Sequence, residues 1–383
     1  MARPIDICIR GDGIVGHVLA LSLARERLRI GLVVPGSDDV KAHPDVRAYA
    51  LNHASRALVE GLRCWPEPAH ATPVLSMHVR DAGGGAVNFD AARQDVAALA
   101  WIVDVPALEA RLVHAVQFQS GIELLPGAQD ARLTVVCEGG ASATRASLGV
   151  EMDNTPYGQW AIAARVVCEH AHAQAACQWF SPDAILAFLP LDGAQGNSMA
   201  IVWSVSKEQH AELMAMDAQM FVQRLEQASA KRFGELSLSS ARVAWPLQLS
   251  TARQWSGVSK GGSWVLAGDA AHAVHPLAGQ GLNLGLADVA ELVRQIAGRD
   301  YWRDVNDEKL LRRYARARKT DTLLMGTATD GLQQLFARPG DAWDGVRNFG
   351  MGGFELSGVV KRWVARRAMG MGGPDNSARM KPL

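Results

Sequence analysis

The hexapeptide Gly11-Asp12-Gly13-Ile14-Val15-Gly16 sits between the apolar run Ile5–Ile9 and a helical pattern that reaches about Arg27. A second apolar run, Ile30–Val34, follows and is ended by Pro35-Gly36. Strand, tight turn, helix, strand is the start of a βαβ unit. In such a unit Gly11 permits the tight turn, Gly13 lets the backbone approach a pyrophosphate, and Gly16 allows close helix–strand packing. The amides of Ile14 and Val15, at the head of the helix, are then free to receive phosphate. The same context argues against reading Ile14–Ala24 as a signal-peptide core, because a glycine-spaced loop precedes it and a strand follows. One expected element is missing. The second strand should end on an acid that holds the adenosine ribose, but the sequence there is Val33-Val34-Pro35, and Asp38 or Asp39 are the nearest substitutes.

Downstream, Tyr49–Trp65 carries a helical apolar spacing, and Pro66, Pro68 and Pro73 then break the chain. Residues 74–90 and 158–206 alternate as strands do, with turns at Asp192-Gly193 and Gly196-Asn197. Met214–Arg232 reads as helical, Trp264–Ala267 as a buried strand, and a long helix is expected from about Gly281 to Ala297. From Glu308 on, the pattern is helical and basic, and the last dozen residues are expected to lack fixed structure.

The 383 residues are 48% hydrophobic with zero formal net charge, so a sizeable core is expected and no general attraction to nucleic acid. Five scattered cysteines form no CxxC pair, which argues against a zinc site or a redox dithiol and for a reducing cytoplasmic compartment. Cys8 reads as a small core residue. No stretch is long and apolar enough to span a bilayer.

The most specific segment is Gly268-Asp269-Ala270-Ala271-His272-Ala273-Val274-His275-Pro276-Leu277-Ala278-Gly279-Gln280-Gly281-Leu282-Asn283-Leu284-Gly285. It resembles the GD…P…GQG signature of the class A flavoprotein aromatic hydroxylases, and most closely the ubiquinone-biosynthesis hydroxylases. The resemblance implies FAD as cofactor, with NADH or NADPH as co-substrate. It implies cofactor contacts at Gly268, Asp269, Pro276, Gly279, Gly281, Leu282 and Asn283, beside those at Gly11, Gly13, Ile14, Val15 and Gly16. Asp269, at the end of an apolar strand, is placed to accept hydrogen bonds from ribityl hydroxyls. The amides and positive end of the following helix are placed to face the N1–C2=O edge of a flavin. His272 and His275 read best as residues that fix this loop by hydrogen bonds. No metal cluster and no general base stand out.

The resemblance extends over most of the chain. Asp45-Val46-Arg47-Ala48-Tyr49-Ala50-Leu51-Asn52-His53-Ala54-Ser55 resembles the family's D-x-R-x-x-A-L-x-x-x-S segment, which implies that Arg47 lies beside the cofactor. Phe180-Ser181-Pro182 through Phe188-Leu189-Pro190-Leu191, with Ser198 to Trp203, resembles its substrate sheet. Leu311 to Lys319 resembles its C-terminal helix. Two departures stand out. In Cys137-Glu138-Gly139-Gly140-Ala141-Ser142-Ala143-Thr144-Arg145, set against the family's A-D-G-x-x-S-x-x-R, Gly139 replaces the Asp and the spacing to Arg145 looks one residue short. The stretch between about Val116 and Leu133 also looks shortened.

The fold expected is α/β: a Rossmann-like FAD-binding domain (1–73, 91–157 and 255–330) interleaved with a β-sheet substrate domain (74–90 and 158–254) and followed by a C-terminal helical segment (331–383). The activity the resemblance implies is FAD-dependent hydroxylation of a polyprenylated phenol or quinone precursor, with NAD(P)H and O2. Such a substrate lives in the membrane, so peripheral contact at the inner membrane, or a complex with other ubiquinone-biosynthesis proteins, is expected of a chain without an anchor. Trp363 with Arg362, Arg366 and Arg367 is a candidate interface, although a packed helix with a charged face explains the same residues. Two alternatives stay open. One is a diverged, weakly active or non-catalytic homologue that acts as an assembly subunit of a hydroxylase complex. The other is an FAD-dependent reductase or oxidase on another aromatic or lipid substrate.

Overall fold

The computed structural model describes residues 4–34, 45–273, 280–337 and 369–370. Its helices are α1 (Ile14–Arg25), α2 (His53–Gly61), α3 (Val105–Gln117), α4 (Ala143–Ser147), α5 (Lys207–Ala215), α6 (Ala218–Ala228), α7 (Gln280–Ala297) and α8 (Glu308–Ala337).

The apolar runs at the start of the chain become neighbouring parallel strands. A six-stranded sheet has the order 256–259, 262–266, 133–136, 7–10, 30–33, 122–125. All neighbours in it are parallel except the edge hairpin made by the first two. Parallel strands are covered on both faces, and Ile7, Cys8 and Ile9 are all fully buried, as an unbroken apolar run requires. Helix α1 is buried along nearly its whole length for the same reason. Leu266, Val136, Arg10 and Val33 lie level with one another across the sheet, so four carboxyl ends open on one crevice. In open parallel sheets that is where ligands bind.

A nine-stranded sheet forms the second layer. Its spine is the 17-residue strand Met152–Cys168, paired with Ser198–Ser206 on one side and Val243–Ala252 on the other. Ile162, Ala164, Val166 and Cys168 pack with α5 and α6 residues such as Leu213, Phe221 and Leu225. The intervening Arg165 points the other way, where it pairs with Asp104 and donates to the Val46 carbonyl. The spine crosses the expected boundary at residue 157, because Met152–Pro156 already pairs with Gln248–Ala252.

Two expected helices are corrected. Ala48–Leu51 is a strand, paired with Ala100–Asp104 in a three-stranded sheet that Ala71–Val74 completes. Helix follows only after Asn52, whose side chain caps Ser55 N at 2.9 Å. The helical spacing was real, but cross-strand pairing took its first turn. Met214–Arg232 is likewise not one helix: α5 ends where Met216 turns extended, and Asp217 caps α6 through Met220 N at 2.7 Å. Helix α8 runs past the boundary expected at residue 330. Met369 is buried with Ala48, Val74 and Ile102. Trp363, Arg362, Arg366, Arg367 and the chain end lie outside the described residues.

Candidate cofactor site

The nucleotide loop is built from backbone contacts that exclude side chains at two glycines. Gly11 has φ +124°, and a Cβ there would lie 2.4 Å from the Cys137 carbonyl oxygen. A Cβ on Gly16 would lie 1.9 Å from the Gly11 carbonyl oxygen. Gly13 differs: nothing lies within 4 Å of the place its Cβ would take. Gly13 is also the N-cap of α1, with no side-chain cap and no acid in the first turn. The leading amides of Ile14 and Val15 therefore face an open space that suits an anion. His17 fixes the same turn, its Nδ1 lying 3.0 Å from the Gly13 carbonyl, and burial lowers its pKa. Asp38 and Asp39, the nearest substitutes for the acid missing after the second strand, lie outside the described residues.

The second loop meets the first through Val15. A Cβ on Gly285 would lie 2.9 Å from the Val15 side chain, and one on Gly268 3.4 Å from it. Gly268 has φ +62° and opens a short 3₁₀ turn in which Gly268 and Ala270 are buried and Asp269 remains solvent-accessible. The Asp269 carboxyl sits in a recess whose protein walls raise its pKa, against the opposing influence of His272 and Arg47. Arg47 is thus within electrostatic reach of Asp269. Its guanidinium is held by Asp45 (2.5 Å) and by the Tyr49 hydroxyl (3.2 Å). At the head of α7, nothing lies within 4 Å of where a Cβ on Gly281 would stand, and Leu282 packs against the main core.

The Asn283 side chain has partners within the protein. Its Oδ1 accepts from Asn52 N (3.0 Å) and Ser55 Oγ (2.7 Å), and its Nδ2 donates to Ala50 O (2.7 Å). The buried side chain ties α7 to the strand and helix that follow Arg47, leaving the backbone to face any cofactor. Pro276, Gly279 and His275 lie outside the described residues. His272 fixes the loop as expected: its Nε2 lies 2.7 Å from Asp288 Oδ2 and its ring stacks on Trp255.

The mid-chain departure is corrected by the geometry. Glu138, not Gly139, stands in the acid position, and the spacing to Ser142 and Arg145 is complete. Its carboxylate accepts from Ser142 Oγ (2.7 Å), Thr144 N (2.9 Å), Thr144 Oγ1 (2.5 Å) and Arg10 Nε (3.1 Å). Burial alone would raise its pKa, but these donors hold it below the usual carboxylate range. Gly139, at φ +80°, makes the turn between that acid and α4. Arg145 then donates to Ala270 O at 3.1 Å, linking this loop to the Asp269 turn.

Sequence reasoning gave no site role to Glu138, Asp288 or Arg318, and named Arg145 only as part of its motif. Asp288 carried a readable signal, since it is the charge in the buried i, i+4 stripe Leu284, Asp288, Leu292 of α7. Open space at Gly13 and Gly281, uncapped amides on α1 and the accessible carboxylate of the turn that packs on Val15 fit a dinucleotide that carries a flavin. A separate recess of about 420 Å³ lies between α5, α6 and the large sheet, lined by Trp179, Leu186, Trp203, Leu213, Met216 and Arg224. Trp203 faces it while Ala200, on the same strand, packs toward the three-stranded sheet, so this recess is on the far face of the substrate sheet.

Residues 125–322 match the family described as "FAD binding domain". The chain is 30% identical to "Ubiquinone hydroxylase UbiL" of Rhodospirillum rubrum, over 95% of this chain and 89% of that protein. It is 29% identical to the 3-demethoxyubiquinol 3-hydroxylase of Escherichia coli, over 96% of this chain and 99% of the other. Among solved structures, a probable FAD-dependent monooxygenase from Pseudomonas aeruginosa superposes with a TM-score of 0.74, covering 92% of this chain and all of the other at 21% identity. The p-nitrophenol 4-monooxygenase of Pseudomonas putida does so at 0.74 and 17% identity, over 98% of this chain and all of the other, which speaks for the fold alone. Residues 125–322, more than half of the chain, match the FAD binding domain family, and with a relative 30% identical over 95% of its length the chain belongs to the FAD-dependent hydroxylases of ubiquinone biosynthesis.

Proposed function

We propose that this chain hydroxylates the aromatic ring of a polyprenylated phenol or quinone precursor in ubiquinone biosynthesis, using FAD, NADH or NADPH, and O2. What carries the proposal is the contact of the nucleotide loop with the Asp269 turn and α7, where Val15 faces both Gly268 and Gly285, in a chain related over 95% of its length to a ubiquinone hydroxylase. FAD, when bound, takes hydride from the nicotinamide and activates dioxygen for transfer of one oxygen atom to the ring.

The chain's own part is binding, orientation and charge. The amides of Ile14 and Val15 hold the pyrophosphate, and Asp269 accepts from the ribityl hydroxyls. The positive end of α7, at Gly281 and Leu282, stabilises negative charge on the flavin edge. Arg47 adds a positive charge near Asp269. Glu138 and Arg145 keep the mid-chain loop in contact with the Asp269 turn. With its acid in place, that loop no longer supports the reading as a non-catalytic assembly subunit.

The test is turnover of purified protein with FAD, NAD(P)H, isotopically labelled dioxygen and a short-chain prenylphenol. The expected product carries one labelled oxygen on the ring. Nicotinamide oxidation that yields peroxide with every candidate phenol supports the oxidase or reductase reading instead. Protein that stays colourless with added FAD supports the assembly-subunit reading.

Among the described residues no helix is long and apolar enough to cross a membrane. A membrane-dissolved substrate is then reached by peripheral contact at the inner membrane or inside a complex with other proteins of the route. Flotation with vesicles that contain anionic lipid and a prenylphenol is expected to carry the protein upward. Protein left at the bottom of the gradient at low salt rules out direct contact and leaves the complex.

A further inference from the structure

Three elements hold the backbone on which Asp269 is displayed. Leu266 O accepts from the Tyr314 hydroxyl of α8 (2.8 Å), Gly268 N donates to Asp288 of α7 (2.8 Å), and Ala270 O accepts from Arg145 of α4 (3.1 Å). Asp288 is the hub. Its Oδ2 takes Gly268 N and lies 2.7 Å from His272 Nε2, while its Oδ1 takes Arg318 Nε at 2.7 Å. The side chains of Asp288, His272 and Arg318 are 0%, 2% and 6% exposed. Arg318 also donates to Asp321 (2.7 Å) and to the Leu284 carbonyl (3.4 Å).

A buried carboxylate is tolerated only when its charge and lone pairs are matched. Burial would raise the pKa of Asp288, but His272 and Arg318 outweigh it and keep the group ionised. The two oxygens do different work. One holds the loop, through Gly268 and His272 on either side of Asp269. The other anchors that loop to α8.

We propose that Asp288, with His272 and Arg318, is a positioning unit that sets the conformation of the Gly268–Asp269 turn and so the affinity for FAD. The inference rests on the FAD-binding reading of the site. An asparagine cannot replace the carboxylate, because one of its two ends is a donor while Gly268 N at one oxygen and Arg318 Nε at the other are both donors. Arg318 lies on α8 and, among the described residues, makes no hydrogen bond to the turn itself, so its effect on flavin binding passes through α7, at Asp288 and the Leu284 carbonyl.

The experiment compares Asp288→Asn, Arg318→Met, Arg318→Lys and His272→Gln with the unaltered protein. Apoprotein is titrated with FAD by flavin fluorescence, the visible circular dichroism of the bound flavin is recorded, and thermal unfolding of the apoprotein is followed alongside. Arg318→Met and Asp288→Asn are expected to weaken FAD binding about tenfold, equal to about 1.4 kcal/mol, and to change the flavin dichroism. Arg318→Lys restores part of the affinity, since an ammonium can pair with Asp288 but cannot also reach Leu284 and Asp321. If Asp288→Asn does not fold, Arg318→Lys and His272→Gln carry the comparison. Variants that melt earlier yet bind FAD within about twofold of the unaltered chain, with an unchanged flavin spectrum, overturn the proposal. Failure of the unaltered apoprotein to bind FAD overturns the cofactor reading itself, and the inference with it.

Discussion

Gly16→Ala removes stoichiometric FAD and costs about 3 kcal/mol of stability, at the upper end of what overpacking a tight site costs. Its new Cβ would stand 1.9 Å from the Gly11 carbonyl oxygen, a backbone atom that cannot swing aside. Relief requires α1 to move away from the first strand, and that displaces the amides of Ile14 and Val15 from the crevice. Gly13→Ala is the informative partner. Gly13 has φ −78° and ψ −179°, extended backbone that alanine adopts freely, and no protein atom lies within 4 Å of the added methyl. Its stability is expected to stay within about 0.5 kcal/mol of the unaltered chain, or to rise slightly because alanine loses less entropy on folding. Its FAD affinity falls about tenfold or more, about 1.4 kcal/mol, because the methyl occupies the space left for the pyrophosphate. Thermal melts of apoprotein and fluorescence titrations with FAD separate the two effects. A Gly13→Ala variant that binds FAD as well as the unaltered chain would show that the pyrophosphate does not cross Gly13.

The second large effect is on alkaline stability. All five cysteines are free and buried. Burial raises each thiol, Cys168 up to about 12 and Cys137 further still. A raised folded pKa means that the stability these groups contribute is fully present below the unfolded thiol pKa, near 8.5, and is lost as pH climbs toward the folded value. Between those limits each such thiol costs about 1.4 kcal/mol per pH unit. For Cys137 and Cys168 together, folding free energy should therefore fall by about 2 to 3 kcal/mol from pH 9 to pH 10. Urea unfolding at these two values, under reducing conditions, measures it. Cys168→Ala removes one thiol from the slope. A slope that this variant leaves unchanged would mean that the alkaline loss comes from other groups.

Much of the site was legible because it is written in local backbone chemistry. Gly11, Gly16 and Gly268 are needed by the local backbone, through positive φ at Gly11 and Gly268 and the close approach of Gly16 to the Gly11 carbonyl, and the apolar runs around them name their own strands. Asp269 was readable as the polar residue at the end of a buried run, and the structure leaves it as the accessible residue of its turn.

What sequence reading got wrong depended on distant partners. Ala48–Leu51 has helical spacing, yet it is extended because Ala100–Asp104 pairs with it. The place of Asn283 in its motif did not reveal that its side chain bonds Asn52, Ser55 and Ala50. Glu138 is a different case, since residues 137–145 align position by position with A-D-G-x-x-S-x-x-R and the acid was legible in the sequence, with Glu replacing Asp.

By itself, then, the sequence determined the nucleotide loop, the flavin loop and the class of fold, since tight turns and buried strands are dictated by residues near in the chain. Only the tertiary structure decided that Asp288 and Arg318 stand behind the Asp269 turn. A buried charge is defined by what balances it, and here the balancing groups come from two segments, the 268–272 loop and α8, that packing brings to α7.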